Sequence, residues 1–170
     1  MRSSDDDERV LPSAEAAGHV PSHANSGLID FMPRVLAEHA TVGEGRRLLD
    51  RLSLWGIPIV DGQGRYVGTL TVRSIVAAGL PVALEAAGTA HAMTPAGAAE
   101  RERLRLLLGQ PARHLVDLQV PVIPLSTSPI DILRALCRRS PVVPIVADAG
   151  LLLVGVASLP RAMAALYGEC

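Results

Sequence analysis

A duplicated block limits the possible fold more than any other feature of this sequence. Residues 56–76 read GIPIVDGQGRYVGTLTVRSIV, which is an apolar run, a turn, a second apolar run and the start of a helix. Residues 141–163, PVVPIVADAGLLLVGVASLPRAM, repeat this order. Corresponding residues, such as Pro58 and Pro144, are 86 or 87 positions apart, with one residue inserted in the second turn. Chance seldom preserves so many positions, so the chain is predicted to be a tandem repeat.

Each copy is predicted to contain a helix before the two apolar runs. In the first copy this helix covers 41–55, TVGEGRRLLDRLSLW, with Thr41 as its cap and Glu44 at the spacing of a capping box. The apolar residues of this segment, Trp55 among them, fall on one broad face of the predicted helix. By correspondence, Thr127 is predicted to cap the helix PIDILRALCRR of the second copy.

The two apolar runs are predicted to be strands, followed by a second helix. Residues 57–60 and 66–70 flank the turn DGQG, and Thr71 is a good N-cap for the helix VRSIVAAG, which Gly79 ends. In the second copy Ser158 takes the place of Thr71. The repeated unit is therefore β-α-β-β-α, and the fold class is α+β.

The repeat divides the chain into parts, and Ile29-Asp30 corresponds to Val116-Asp117 at the start of each copy. Because residues before the first copy lack hydrophobic periodicity, they are predicted to be disordered. We predict a disordered tail over 1–26, the first repeat over 27–84, an inter-repeat linker with a helix over 85–112, and the second repeat over 113–170.

Composition argues against several classes of protein. The 170 residues suffice for a core that needs no disulfide or metal, and the small aromatic content of 2% predicts an aliphatic core. All 16 basic residues are arginine, which we interpret as a bacterial-like genomic composition. A net charge of −1 predicts no basic surface for nucleic acid or for an anionic membrane.

Cysteine usage and the N-terminal sequence predict a cytoplasmic protein. Cys137 is predicted to be a small buried hydrophobe and Cys170 a free thiol, which suits a reducing compartment. The start MRSSDDDERV is acidic and resembles no signal peptide. The apolar segment 142–160 contains Pro144 and Gly150, so it is predicted to form two strands rather than a membrane span.

The segments GIPIVDGQGRYVGTLTVRS and VVPIVADAGLLLVGVAS resemble the cystathionine-β-synthase (CBS) domain, each following an apolar helix and a short strand. The resemblance covers both copies, and it implies a tandem CBS-domain pair with pseudo-twofold symmetry. Such modules are regulatory rather than catalytic, often form homodimers, and commonly hold adenosine-containing ligands between the repeats. For this chain the resemblance implies AMP, ADP, ATP or S-adenosylmethionine as a possible regulatory ligand, and no required cofactor or metal.

The candidate ligand-binding residues follow from matching positions of the two copies. Apolar strand residues would enclose the adenine, and residues at the start of the last helix would approach the phosphate and ribose. The candidates are Thr41, Ile57, Pro58, Thr71, Arg73, Ser74, Thr127, Val143, Pro144, Ser158 and Arg161.

The chain departs from the family where the ribose would bind. Three residues after the capping Thr or Ser, the family has an aspartate that accepts hydrogen bonds from the ribose diol, whereas this chain has Ser74 and Arg161. Ser74 can accept one hydrogen bond and Arg161 none. Losing two hydrogen bonds to a charged group predicts binding weakened by about 10²- to 10⁴-fold. Arg73 and Arg161 could face phosphates instead, or could face solvent.

Two functions remain open at this point. The first is an adenine-nucleotide sensor with altered ribose recognition. The second is a ligand-free module for dimerisation or partner docking, through the exposed faces of the helices over 71–79 and 158–167. No catalytic set of residues is visible in the sequence, so the chain is predicted not to be an enzyme.

Overall fold

The fold is described from a computed structural model, which places residues 27–79 and 98–168. The predicted tail over 1–26 and the linker segment 80–97 lie outside the described residues. The helices are α1 (Val42–Leu52), α2 (Val72–Gly79), α3 (Ala98–Leu108), α4 (Pro129–Arg138) and α5 (Leu159–Tyr167). The strands are β1 (Ile29–Asp30), β2 (Leu36–Ala37), β3 (Gly56–Val60), β4 (Tyr66–Thr71), β5 (Ile123–Pro124), β6 (Val142–Val146) and β7 (Leu153–Ser158). This alternation confirms the α+β class and the β-α-β-β-α repeat.

Helix α1 begins as the sequence predicts and ends earlier. The Thr41 amide donates to Glu44 Oε2 at 2.6 Å, and Thr41 Oγ1 accepts from the Glu44 amide at 3.2 Å, so the capping box is confirmed. Ser53 takes a left-handed conformation with φ 52° and ends the helix. Because the chain turns there, Trp55 leaves the helix face and its side chain is 60% exposed. The prediction that Trp55 belongs to this helix and to its apolar face was wrong.

Helix α4 shows that the second copy is offset by one residue at its cap. Ser128, not Thr127, is the N-cap, and its hydroxyl accepts from the Asp131 amide. The buried face of α4 carries Ile132 and Leu136, so the next residue, Cys137, points away from the core and is exposed. The predictions of Thr127 as a cap and of Cys137 as a buried hydrophobe were wrong.

Each copy supplies one hairpin, and the two hairpins lie in different sheets. One sheet has the order β2-β3-β4, and the other has the order β1-β7-β6-β5. Pro58 pairs with Thr69 in the first hairpin, as Pro144 pairs with Val156 in the second. Both hairpins have a register shift at the same position, so the duplication extends to their irregularities.

The first strand of each copy leaves its own copy and pairs with the other. Ile29 lies opposite Ala157 of β7, whereas Val116 lies opposite Leu70 of β4. The Asp117 amide donates to the Thr69 carbonyl at 2.8 Å. This reciprocal exchange makes each sheet depend on residues from both copies, and it is the pseudo-twofold relation that the resemblance implies.

Two repeated glycines make this exchange possible. A Cβ added at Gly155 would lie 2.5 Å from Ile29 Cγ2 and 2.8 Å from the Asp30 carbonyl oxygen. A Cβ at Gly68 would clash with the isopropyl group of Val116, lying 2.7 Å from its Cβ. The glycine that ends each Val-Gly pair is therefore needed for the close approach of the exchanged segment.

The hydrophobic residues form one core per sheet and a seam between the copies. The larger core lies under β6 and β7, and the other lies under β3 and β4. Val35 and Val60 of the first copy pack with Leu153 of the second. Beside them the Tyr66 amide donates to the Leu151 carbonyl at 2.7 Å, and the Leu153 amide donates to the Gly64 carbonyl at 3.1 Å. Within 27–79 and 98–168, no helix has the length and apolar character needed to cross a membrane.

Candidate ligand-binding cleft

A cleft of about 330 Å³ lies between the two copies. The end of β4 and the first turns of α2 form one part of the lining, and the segment after the exchanged Val116 and the segment before β6 form the rest, together with Trp55. The lining residues are Trp55, Thr71, Val72, Arg73, Val76, Asp117, Gln119, Val120, Arg139, Ser140 and Pro141.

Thr71 and Asp117 form the polar floor of this cleft and join the two copies. Thr71 is 5% exposed, and its Oγ1 donates to Asp117 Oδ2 at 2.9 Å. The same Oγ1 accepts from the Ser74 amide at 3.0 Å, so it also caps α2. Asp117 Oδ1 accepts from the Gln119 amide at 3.0 Å. The buried hydroxyl and both carboxylate oxygens therefore have partners inside the protein.

Ser74, which stands at the family's ribose-binding position, is used by the helix end. Its Oγ donates to the Thr71 carbonyl at 3.0 Å and accepts from the Thr71 amide at 3.2 Å. Ser74 is not among the residues that line the cleft. A hydroxyl held in this way offers a ribose less than a free carboxylate would, which agrees with the sequence-based expectation of altered recognition.

The rim of the cleft combines positive charge with apolar surface. Arg73 Nη1 donates to Gln119 Oε1 at 2.8 Å, and Arg139 also lines the cleft. The Trp55 side chain is 60% exposed, and those of Val72 and Val76 are 37% and 55% exposed. This arrangement can accept a planar group against the indole and a negative charge near either guanidinium.

The four apolar candidates of the strands are buried rather than placed along the cleft. Ile57 and Val143 are 0% exposed and belong to the cores under their own sheets. Pro58 and Pro144 are also fully buried. By strand alternation Pro58 shares the sheet face of Gly56, where an added Cβ would lie 2.6 Å from Val142 Cγ1. The contact of these four side chains with a ligand stays a prediction.

The remaining candidates lie away from the Thr71 cleft. Thr41 caps α1, and Thr127 precedes the cap of α4. Ser158 is the N-cap of α5 by position, but its side chain makes no capping hydrogen bond. Arg161 is exposed on α5. Of the predicted set, the structure therefore brings Thr71 and Arg73 together in this cleft.

Nine of the eleven lining residues were missed by reasoning from the sequence, and Asp117, Gln119, Arg139 and Trp55 are among them. Asp117 was visible as the repeat of Asp30, although its bond to Thr71 depends on the strand exchange. No pattern in the sequence pointed to Gln119 or Arg139 as cleft residues. They follow the exchanged segment and helix α4 of the second copy, whereas Thr71 belongs to the first copy. Trp55 was assigned to the apolar face of the first helix. Within the described part of the chain, no three His, Cys, Asp or Glu side chains are grouped as metal ligands would be.

Comparisons with known proteins agree with this architecture. Residues 30–80 match the family model of the CBS domain. A CBS domain-containing protein from Kribbella flavida is 20% identical, with 85% of this chain and 97% of that chain covered and a TM-score of 0.61. A CBS domain protein from Streptococcus pneumoniae is 15% identical over 84% of this chain and 82% of that chain, with a TM-score of 0.60.

A third similar structure contains a ligand. It is CbpB in complex with c-di-AMP, 15% identical over 89% of each chain, with a TM-score of 0.56. No curated protein matches the chain. At these identities the likeness establishes the fold of the chain.

Proposed function

We propose that this chain, a tandem CBS-domain pair, is a regulatory module that binds an adenosine-containing ligand in the Thr71 cleft. The observation that carries the proposal is the cleft itself, where an exposed indole and two guanidinium groups surround a bonded Thr71–Asp117 floor. The complex of the similar protein CbpB with c-di-AMP supports an adenine-containing ligand for this fold. The ligand class is AMP, ADP, ATP or S-adenosylmethionine.

Each part of such a ligand has a matching group in the cleft. The adenine ring can stack on Trp55 and contact Val72 and Val76, whose side chains are exposed in the cleft. The phosphates can bind the guanidinium of Arg73, which lies at the first turn of α2. No carboxylate is free to accept hydrogen bonds from the ribose, because Asp117 is bonded to Thr71. The hydroxyl of Ser74 is likewise bonded to the backbone of Thr71 at the start of α2. We expect binding that is weaker than in relatives with the family's aspartate.

Isothermal titration of the full chain with AMP, ADP, ATP and S-adenosylmethionine tests this function. Saturable binding of at least one of them, accompanied by a rise in melting temperature, is expected. A flat titration and an unchanged melting temperature with all four ligands at millimolar concentration would contradict the proposal.

The variant Ser74→Asp tests the altered ribose recognition separately. Ser74 itself does not line the cleft, but it is bonded to Thr71, which does. The longer aspartate side chain would place beside the cleft a carboxylate that can accept two hydrogen bonds, each typically worth about 1.5–3 kcal/mol when a charged group takes part. At about 1.4 kcal/mol for each factor of ten, we expect at least tenfold tighter binding of the nucleotide. Ser74→Asn, which lacks the charge, is the matched control and should gain less.

The second candidate function is dimerisation or partner docking without a ligand. The observation that favours it is the row of exposed apolar side chains on the two last helices of the copies. Their exposed fractions are 37% and 55% for Val72 and Val76 of α2, and 55%, 58% and 73% for Met163, Leu166 and Tyr167 of α5. Burying such a surface in a homodimer would remove it from water.

Light scattering distinguishes this second function. A molar mass of a dimer at micromolar protein concentration, without any binding of nucleotides, would favour docking alone. A molar mass of a monomer would count against dimerisation. A dimer that also binds a nucleotide would be consistent with both functions of the module.

We propose, on its net charge of −1, that the module binds neither nucleic acid nor membrane. We also propose that it acts in the cytoplasm without catalysis, so incubation with ATP should yield no hydrolysis.

A further inference from the structure

We propose that each chain binds one anionic ligand, and that Arg73 and Arg139, from different copies, bind its phosphate groups in the Thr71 cleft. This inference rests on the proposed function and deepens it, because it names the chemical class of the ligand, the number of sites and the residues that select the ligand.

Among residues 27–79 and 98–168, no ion pair is formed by the two arginines that line the cleft. Arg73 donates to the side-chain amide of Gln119, which is neutral, and forms no ion pair there. Asp117 is the carboxylate in the lining, and it is bonded to Thr71 and to a backbone amide rather than to an arginine. The lining residues therefore include two guanidinium groups and one carboxylate, a formal charge of +1. A group with negative charge can satisfy this excess, and guanidinium pairs with phosphate through two parallel hydrogen bonds.

The two guanidinium groups come from different copies of the repeat. Arg73 lies in the first turn of α2, and Arg139 directly follows α4 of the second copy. A phosphate held by both would connect the copies across the cleft, beside the bond that already joins Thr71 and Asp117. Ligand binding would then change the strength of the contact between the repeats, which is what a regulatory module needs.

The pseudo-equivalent positions of the other copy lack this chemistry. With an offset of 87 residues between the copies, Pro160 corresponds to Arg73 and Met32 to Gln119. With the offset of 86 residues that relates the strands, Ser53 corresponds to Arg139. Asp117 corresponds to Asp30, so the equivalent set of positions keeps its carboxylate and has no cation. A phosphate there would meet a negative charge and apolar side chains, among them Met32 with 62% exposure.

Arg161 does not restore the charge at the equivalent position. It corresponds to Ser74, which does not line the Thr71 cleft. The duplication has therefore produced one cleft suited to an anion and a counterpart that is not. One ligand per chain follows from this asymmetry.

The size and charge of the cleft limit the class of ligand. Its volume of about 330 Å³ is at the lower end of the roughly 300–1,000 Å³ that ligand cavities span. This favours a phosphate ester with one planar base, such as a nucleoside mono-, di- or triphosphate. S-adenosylmethionine carries a sulfonium cation, which the two arginines would repel, and uncharged adenosine gains nothing from them.

Titration calorimetry on the full chain tests the inference with ATP and adenosine as probes. We expect one ATP per chain, and an affinity for ATP that falls with added salt because the guanidinium–phosphate pairs are screened. Arg73→Gln and Arg139→Gln should each weaken ATP binding by about ten- to hundredfold, the effect of losing one charge-assisted interaction. Neither variant should change the affinity for adenosine.

The matched control is Arg138→Gln, since Arg138 is the exposed neighbour of Arg139 and does not line the cleft. This variant should bind ATP as the wild type does. Because Arg73, Arg138 and Arg139 are all exposed, the variants are expected to fold, and their melting temperatures check this. The salt dependence of the wild type tests anion recognition without any substitution.

Several results would overturn the inference. Two ATP molecules per chain, or weaker ATP binding in Arg161→Gln than in Arg139→Gln, would place a ligand in the opposite copy. ATP binding that is unaffected by salt and by both arginine variants would refute the inference while leaving the proposed nucleotide-binding function intact. A wild-type protein that binds no nucleotide at all would refute both.

Discussion

Substitution of Gly155 by alanine tests the strand exchange on which the cleft depends. The added Cβ would lie 2.5 Å from Ile29 Cγ2 and 2.8 Å from the Asp30 carbonyl oxygen. Carbon atoms in contact prefer about 3.5–4.0 Å, so β1 would have to move by about 1 Å or leave β7. Because the obstacle includes backbone, a change of side-chain rotamer alone cannot relieve the clash.

Both ways of relieving this clash give a similar loss of stability. Overpacking a tight site typically costs about 1–3 kcal/mol. If β1 instead detached, Ile29, which is 0% exposed, would lose burial worth about 1.5–3 kcal/mol. We expect the free energy of unfolding to fall by about 1–3 kcal/mol and the melting temperature by about 2–12 °C.

Urea unfolding followed by far-UV circular dichroism measures this effect, with Gly62→Ala as the control. Gly62 lies in the first hairpin turn, and a Cβ there would meet nothing within 4 Å. Gly68→Ala should resemble Gly155→Ala, because its Cβ would collide with Val116 of the other exchanged segment. If Gly155→Ala unfolded within about 0.5 kcal/mol of Gly62→Ala, the reasoning from the exchange would be refuted.

Three further predictions concern the cap, the cleft floor and a thiol. Thr71→Val removes both the bond to Asp117 and the acceptor for the helix end, so we expect about 1–3 kcal/mol lower stability by urea unfolding; an unchanged midpoint would contradict that role. Hydrogen bonds from the Thr41 amide and hydroxyl lower the pKa of Glu44 below its ordinary 4.5. The charged Glu44 therefore stabilises the fold fully above pH 4.5, and this contribution is lost as the pH falls through the lowered pKa. Glu44→Gln should therefore flatten the acid limb of a stability–pH profile, and an identical limb would argue against it. In a Cys170→Ser background the exposed Cys137 should react with a thiol reagent in the native state about as fast as in urea, whereas strong native protection would place it in the core.

Local patterns in the sequence were sufficient to predict the elements of the fold. The duplication defined both hairpins, and the capping box of Thr41 and Glu44 located the start of α1. These features depend on residues that are close in sequence, so a single chain displays them. The same holds for the turn insertion, which gives the second hairpin one more residue between its strands than the first.

The exposure of individual residues was harder to predict, because it depends on where a helix ends. One left-handed residue, Ser53, ends α1 and exposes Trp55, and helical periodicity contains no sign of that turn. Cys137 follows the buried Leu136 in α4, and a rotation of one residue moves it to solvent. A shift of one residue between the copies likewise gave the cap of α4 to Ser128.

The composition of the cleft could not be predicted, because the cleft is made by the exchange. Asp117 reaches Thr71 through a pairing between segments 46 residues apart in sequence. Arg139 lines the cleft because the segment before β6 packs beside the end of β4, and its sequence neighbours give no indication of this. Ser74 stands where the resemblance implies an aspartate, and its bonds to Thr71 show what its hydroxyl does in this chain.

The central claim is that the two copies form one folding unit, since the cleft exists only between them. Ile29→Ala tests it most directly, because Ile29 packs in the core under β6 and β7, whereas the sole tryptophan of the chain, Trp55, lies in the first copy. Urea unfolding of this variant should be followed by Trp55 fluorescence and by far-UV circular dichroism. We expect the two curves to coincide in the wild type and to shift together to lower urea in the variant. A Trp55 transition that stays in place while the circular dichroism curve splits in two would contradict the account.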